Sequence, residues 1–136
     1  MAESEVVKKR KVLVVDDEGG IREPLVHFLE SVKSFDVIAW AVNGEDAIRL
    51  VETELSFGGF DLIITDVNMP ILSGLELVKE IRTNYNEYQR FIVMSGGFSE
   101  KDKGILARFG LSDYALAKPF SKDQLLVMIT KVLSEG

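Results

Sequence analysis

Five polar residues in this chain each end a short apolar run rich in β-branched residues. Asp16 and Asp17 close Val12 to Val15, Asp66 closes Leu62 to Thr65, Ser95 closes Phe91 to Met94, and Lys118 follows a weaker run, Tyr114 to Ala117. In an open sheet of parallel strands such C-terminal ends share one edge, and ligands bind in the crevice there. Three carboxylates gathered on that edge repel one another, and without a cation at least one pKa must rise. A divalent metal resolves the conflict. The chain has no cysteine, and its single histidine, His27, stands elsewhere, so the donors are oxygens. Such a set favours a hard ion such as magnesium, which keeps several waters and so leaves room for a phosphate. A hydroxyl at Ser95 and an ammonium at Lys118 supply what phosphoryl oxygens need, a donor and a point charge. An aspartate can itself be the nucleophile and form an aspartyl phosphate. Taken singly, each residue has a plainer reading: helix N-caps for the aspartates, a turn for Ser95, a snorkelling surface lysine for Lys118. Their common location promotes them.

The elements that must position these residues alternate along the chain. Strand-like runs at Val12 to Val15, Val37 to Val42, Leu62 to Thr65, Phe91 to Met94 and Tyr114 to Ala117 are each followed by a segment of helical period. Leu125, Met128, Ile129, Val132 and Leu133 form one helical stripe; Ala47, Val51 and Leu55 repeat the pattern, and Ile105 with Phe109 does so briefly. Near-continuous apolar strands joined by crossovers require helices on both faces, so the fold class is α/β, a doubly wound five-stranded parallel sheet. Asn43-Gly44, Gly58-Gly59, Gly96-Gly97 and Gly110 punctuate the units, and Ser99 and Ser121 stand where N-caps are wanted. Pro24 fits a first helix over 21–32 only if that helix begins near Gly20, which leaves the proline in or just past the first turn. Trp40 and Phe91 occupy core-like strand positions, and His27 a partly exposed helix position.

At 136 residues, 46% hydrophobic and 28% charged with three prolines, the chain is expected to fold as one domain over 11–135 behind a flexible tail over 1–10. Net charge is -6, from 16 Lys and Arg against 22 Asp and Glu, which argues against direct binding of nucleic acid. Lys8 to Lys11 is the one basic run and reads as a solvated flank. The longest apolar run, Val37 to Val42, is far short of the roughly twenty residues that span a bilayer, and the start of the chain lacks the apolar region of a secretory signal. The expected location is the cytoplasm, with no membrane partner.

Four motifs carry a resemblance: VLVVDDE (Val12 to Glu18), DLIITDVNMPILSG (Asp61 to Gly74), IVMSG (Ile92 to Gly96) and KPF (Lys118 to Phe120). In this order and at these spacings the chain resembles a response-regulator receiver domain of two-component signalling, over residues 11–135. The resemblance implies a flavodoxin-like sheet of strand order 2-1-3-4-5, a cis peptide at Lys118-Pro119, and Mg2+ as cofactor. It also implies Asp66 as phosphoacceptor, Asp17 binding the metal directly and Asp16 mostly through water, and the Asn68 carbonyl as a further ligand. Ser95 and Lys118 would hold the phosphoryl group. By the same likeness the chain is not a conventional enzyme: it catalyses only its own phosphorylation and dephosphorylation. The donor would be a histidine kinase or phosphotransfer protein, and output would pass to an unknown downstream protein, the chain being a monomer or a phosphorylation-dependent dimer. Read as a stand-alone receiver, it signals through protein contacts, with the surface of the fourth helix, fifth strand and fifth helix as readout; Leu126 and Val127 broaden the apolar stripe there.

Two departures bear on mechanism. Receivers usually carry a switch aromatic three positions before the lysine, where this chain has Ala115; Tyr114 is one residue early and, because strand side chains alternate, points to the opposite face unless a bulge intervenes. This raises the alternative of a phosphate shuttle or sink in a relay without dedicated output. Gly97, where many receivers have a larger side chain, leaves the approach of water open, so phosphoryl lifetime is expected to depend on Asn68 and Gly97. A phosphohydrolase of the aspartyl-nucleophile kind would need an acid at position 68, where Asn68 stands. A pseudo-receiver acting only as a binding module would lack some of the five site residues, all present here. A flavodoxin-type cofactor protein would need a hydroxyl- and glycine-rich loop after a strand, which is missing.

Overall fold

A computed structural model describes residues 9–135. The chain runs β1 (Arg10–Val15), α1 (Gly19–Glu30), β2 (Phe35–Ala41), α2 (Gly44–Leu55), β3 (Leu62–Asp66), α3 (Gly74–Asn84), β4 (Phe91–Ser95), α4 (Glu100–Arg108), a 3-10 turn (Ser112–Tyr114), β5 (Ala115–Ala117) and α5 (Lys122–Glu135). All strand pairs are parallel, in the order β2-β1-β3-β4-β5. The expected tail lies, for residues 1–8, outside the described residues, and Arg10 already pairs with Phe35 in the sheet.

Strand alternation divides the core into two layers. Leu13, Val15, Ile63, Phe91 and Val93 face α2, α3 and α4, where they meet Ala47, Val51, Val78, Ile81 and Leu106. Val12, Val14, Ile64, Ile92 and Met94 face α1 and α5, against Leu25, Leu29, Leu125, Ile129 and Val132. The helices therefore cover both faces, and the strand ends are left free at one edge.

Local chemistry sets the boundaries. Ser73 with Glu76, and Ser99 with Asp102, form capping boxes that start α3 and α4. Ser121 and Gln124 exchange the same pair of bonds at the start of α5, and Asn43 caps α2 through the Asp46 amide. Helix α1 begins at Gly19, so Pro24 falls just past its first turn, where a single backbone bond is forgone.

Several expectations need correction. Trp40 is not core: it is 52% exposed, because β2 is an edge strand, and the guanidinium of Arg22 lies over its ring. The buried residue of α4 is Leu106, with Ile105 and Phe109 packed partly against the core. Tyr114 belongs to the 3-10 turn, not to β5. Lys11 is no solvated flank: its ammonium pairs with Glu54 at 2.7 Å and donates to the Phe57 carbonyl.

Candidate functional site

The five residues singled out in the sequence all lie at the C-terminal edge of the sheet. Asp16 follows β1 and is fully buried, whereas Asp17 and Glu18 beside it are exposed. Asp66 is the last residue of β3 and is 4% exposed, because Gly74, at the start of α3, brings the chain back onto it. A Cβ on Gly74 would lie 2.0 Å from the Asp66 carbonyl oxygen, a clash with backbone that no rotamer relieves. The Gly74 amide donates to the Val67 carbonyl at 2.9 Å and closes this turn. Within it, exposed Ile71 takes a left-handed conformation (φ 73°), uncommon for a β-branched residue.

Lys118 ties the edge together. It leaves β5 just before a cis peptide to Pro119, its amide donates to the Ser95 carbonyl, and its ammonium reaches Asp66 Oδ1 at 2.9 Å and Asp16 Oδ2 at 3.3 Å. Asp16 Oδ1 meanwhile accepts from the Glu18 amide at 3.0 Å. The Ser95 hydroxyl, fully buried, donates to the Gly97 carbonyl at 2.8 Å and accepts from the Gly97 amide at 3.1 Å. Asn68 stands exposed two residues after Asp66 and borders a groove shared with α3 and α4.

Electrostatically the pocket is underserved with cations. Burial pushes the Asp66 carboxyl above its ordinary range; the hydrogen bond and charge of Lys118 pull it down, and Asp16 and Asp17 push it up again. Burial pulls the Lys118 ammonium down, but the bonds and charges of Asp66 and Asp16 outweigh that and hold it above its usual value. Both partners of one ion pair are thus raised: Asp66 because burial outweighs the pull of Lys118, and Lys118 because it has two carboxylate partners. Further, single oxygens of Asp16, Asp17 and Glu18 lie within 4.8 Å of one another. An all-oxygen cluster with surplus negative charge fits a hard divalent cation. Sequence reasoning named Asp16 and Asp17 but missed Glu18, although it is the next letter of the same acidic run.

The switch position is also resolved. Strand β5 pairs with β4 without a break, Val93 with Ala115, Met94 with Leu116 and Ser95 with Ala117, so no bulge restores the missing aromatic. The Tyr114 hydroxyl donates to Glu135 of α5 at 3.0 Å, with Lys131 over its ring. Ala115 instead borders a cavity of about 390 Å³ with Phe98, Lys103, Leu106, Ser112 and Ala117.

A doubly wound α/β domain with an acidic pocket bridged by a lysine at its strand ends is the class that fold and site define. The chain belongs to the response regulator receiver domain family, which matches residues 12–130. It is 35% identical over 124 residues to the alkaline phosphatase synthesis transcriptional regulatory protein PhoP of Bacillus subtilis, covering 91% of this chain and 48% of that protein. A response regulator receiver protein from Pseudomonas putida superposes with TM-score 0.75 at 32% identity, covering 93% of this chain and 99% of the other. The CheX-CheY-BeF3-Mg+2 complex from Borrelia burgdorferi shares the fold, with TM-score 0.81 at 22% identity over 92% and 90% of the two chains. The chain spans about half the length of the curated relatives it matches. Receiver domains are signalling switches of two-component systems that bind Mg2+ at an acidic pocket and interact with histidine kinases and downstream proteins. No helix among the described residues is long and apolar enough to cross a membrane.

Proposed function

We propose that this domain is a phosphoacceptor switch in which Asp66 takes a phosphoryl group from a phosphohistidine on a histidine kinase or phosphotransfer protein of the cytoplasm. A carboxylate oxygen of Asp66 attacks phosphorus, the P–N bond breaks, and the electron pair leaves on the imidazole, which takes up a proton. Asp16, Asp17 and Asp66, with the Asn68 carbonyl, would hold magnesium, which when bound neutralises charge developing on the phosphoryl oxygens. Lys118, already 2.9 Å from Asp66, is placed to shift onto a phosphoryl oxygen. Ser95 can donate to another once it releases the Gly97 carbonyl. Contact with a partner over α4, β5 and α5 would read the modified state, and Val127, 69% exposed on α5, with half-buried Leu126 offers apolar surface there.

The observation that carries this reading is the single ammonium of Lys118 placed between Asp16 and Asp66. The test is intact mass after incubation with magnesium and acetyl phosphate, beside an Asp66→Ala variant. One phosphoryl adduct that requires magnesium, is labile to hydroxylamine and is absent from the variant is the expected outcome; an adduct that persists in the variant removes Asp66 as acceptor. A second reading, a phosphate shuttle or sink, is favoured by Ala115 and by Tyr114 bonded away to α5. It predicts that amide exchange in α4 and β5 is the same before and after phosphorylation.

A further inference from the structure

Arg22 is a buried guanidinium that the phosphoacceptor chemistry does not use. It projects from α1, is 9% exposed, and forms no ion pair among the described residues. Its Nη1 donates to the backbone carbonyl of Asp16 at 2.8 Å, and its Cζ lies 4.4 Å from the centroid of the Trp40 ring. Guanidinium stacked on indole is a favourable pairing, stronger where water is excluded. Trp40 therefore does at this edge what a core would do elsewhere: one face of its ring shields Arg22 while the residue remains half exposed. The carbonyl that Arg22 holds belongs to Asp16, the residue just past β1 where the acidic turn begins.

We propose that Arg22 is a positioning residue for the acidic pocket: through the Asp16 carbonyl it fixes the turn that presents Asp16, Asp17 and Glu18, and Trp40 locks it in place. This rests on the reading of that pocket as a magnesium site. Charge and position make opposite predictions here. As a nearby cation Arg22 repels magnesium, so its removal on charge grounds alone tightens binding; as a clamp, its removal loosens the turn and weakens binding. Lysine in its place keeps the charge but cannot hold a carbonyl and stack a planar group on indole together. Groups that orient metal ligands typically contribute tenfold or more in affinity.

Calorimetric titration of magnesium into the parent, Arg22→Lys, Arg22→Met and Trp40→Phe tests this, with circular dichroism confirming that each is folded. Both Arg22 variants are expected to bind about tenfold more weakly, and Trp40→Phe, which keeps a ring face, to stay near the parent. Trp40 is the only tryptophan and the guanidinium lies 4.4 Å from its centroid, so its emission is expected to differ between Arg22→Met and the parent. Parental or tighter binding by Arg22→Met overturns the proposal, as does parental binding by Arg22→Lys. Emission of Arg22→Met identical to that of the parent also overturns it, and leaves the magnesium reading standing. No heat of binding in the parent overturns that reading and this proposal together.

Discussion

The two sides of the strand-end crevice are built differently. On the β1 and β3 side the two buried carboxylates are braced: Asp16 is fully buried, Lys118 reaches across from the end of β5 to bridge Asp16 and Asp66, Arg22 holds the Asp16 carbonyl, and Gly74 lies so close to Asp66 that no side chain fits. On the β4 and β5 side there is slack. The Ser95 hydroxyl bonds, among the described residues, to Gly97 two residues on and to no other residue, a Cβ on Gly96 or Gly97 would meet nothing within 4 Å, and Ala115 borders an open cavity of about 390 Å³. Charge that must be held in fixed geometry sits on the rigid side, where the cost of a misplaced atom is greatest. Groups that must move lie where packing resists least.

Substitutions can break this contrast. The largest effect is expected for Gly74→Ala: with the Asp66 carbonyl in the way the turn must open, and urea unfolding should show a loss at the upper end of the ~1–3 kcal/mol typical of overpacking. A loss below about 0.5 kcal/mol, the range of neutral surface changes, would mean that the β3 side is not braced. A smaller effect, resolved by pH, is expected for Asp66→Asn without magnesium. Because burial raises the folded pKa of Asp66, the folded state holds its proton more tightly than the unfolded one, so the parent loses stability as pH rises from the ordinary carboxylate range to the raised value. The variant lacks that loss and should gain on the parent across the same window. A difference flat with pH would show that Lys118 fully compensates Asp66.

On the slack side, Ala115→Tyr should be accepted, with stability changed by less than about 1 kcal/mol, since cavity filling often stabilises slightly; a larger drop would show the space to be closed in solution. Gly97→Ala should alter stability least, within about 0.5 kcal/mol, while slowing hydrolysis of the phosphorylated form. An unchanged hydrolysis rate would remove the role assigned to Gly97.

The strand ends on both sides of the crevice were legible in sequence, whereas the contacts that brace one of them were not. Aspartates, serine and lysine at the ends of apolar runs located the edge, since strand period and polar interruption are both local signals, and the stripe of α5 was readable for the same reason. What escaped depended on contacts distant in sequence. Val37 to Val42 carries no mark that its strand is an edge, so Trp40 read as core; its cover, Arg22, lies on another element. Gly74 stands at the end of a motif, but nothing in the sequence sets it against a backbone carbonyl eight residues earlier. Lys11 read as flank because its partner Glu54 arrives from α2. Tyr114 read as strand because a 3-10 turn of three residues has no period to detect.

The helix starts carry a consequence for how motion can spread. The bonds that begin α3, α4 and α5 close within four residues, between Ser73 and Glu76, Ser99 and Asp102, and Ser121 and Gln124. Helix α1 has no side-chain cap, and its fourth residue, Arg22, is bonded to the end of β1 instead. A helix that carries its own cap can translate or tilt without uncovering its first amides, so its displacement leaves the hydrogen bonds of its N-terminus intact. Helix α1 is fastened to the sheet and cannot slide without disturbing Asp16. In effect α1 and the sheet form one block, whereas the N-terminus of α4, the helix beside the slack, is held by bonds of its own, and its tie to another helix is at the far end, where Arg82 donates to the Phe109 carbonyl.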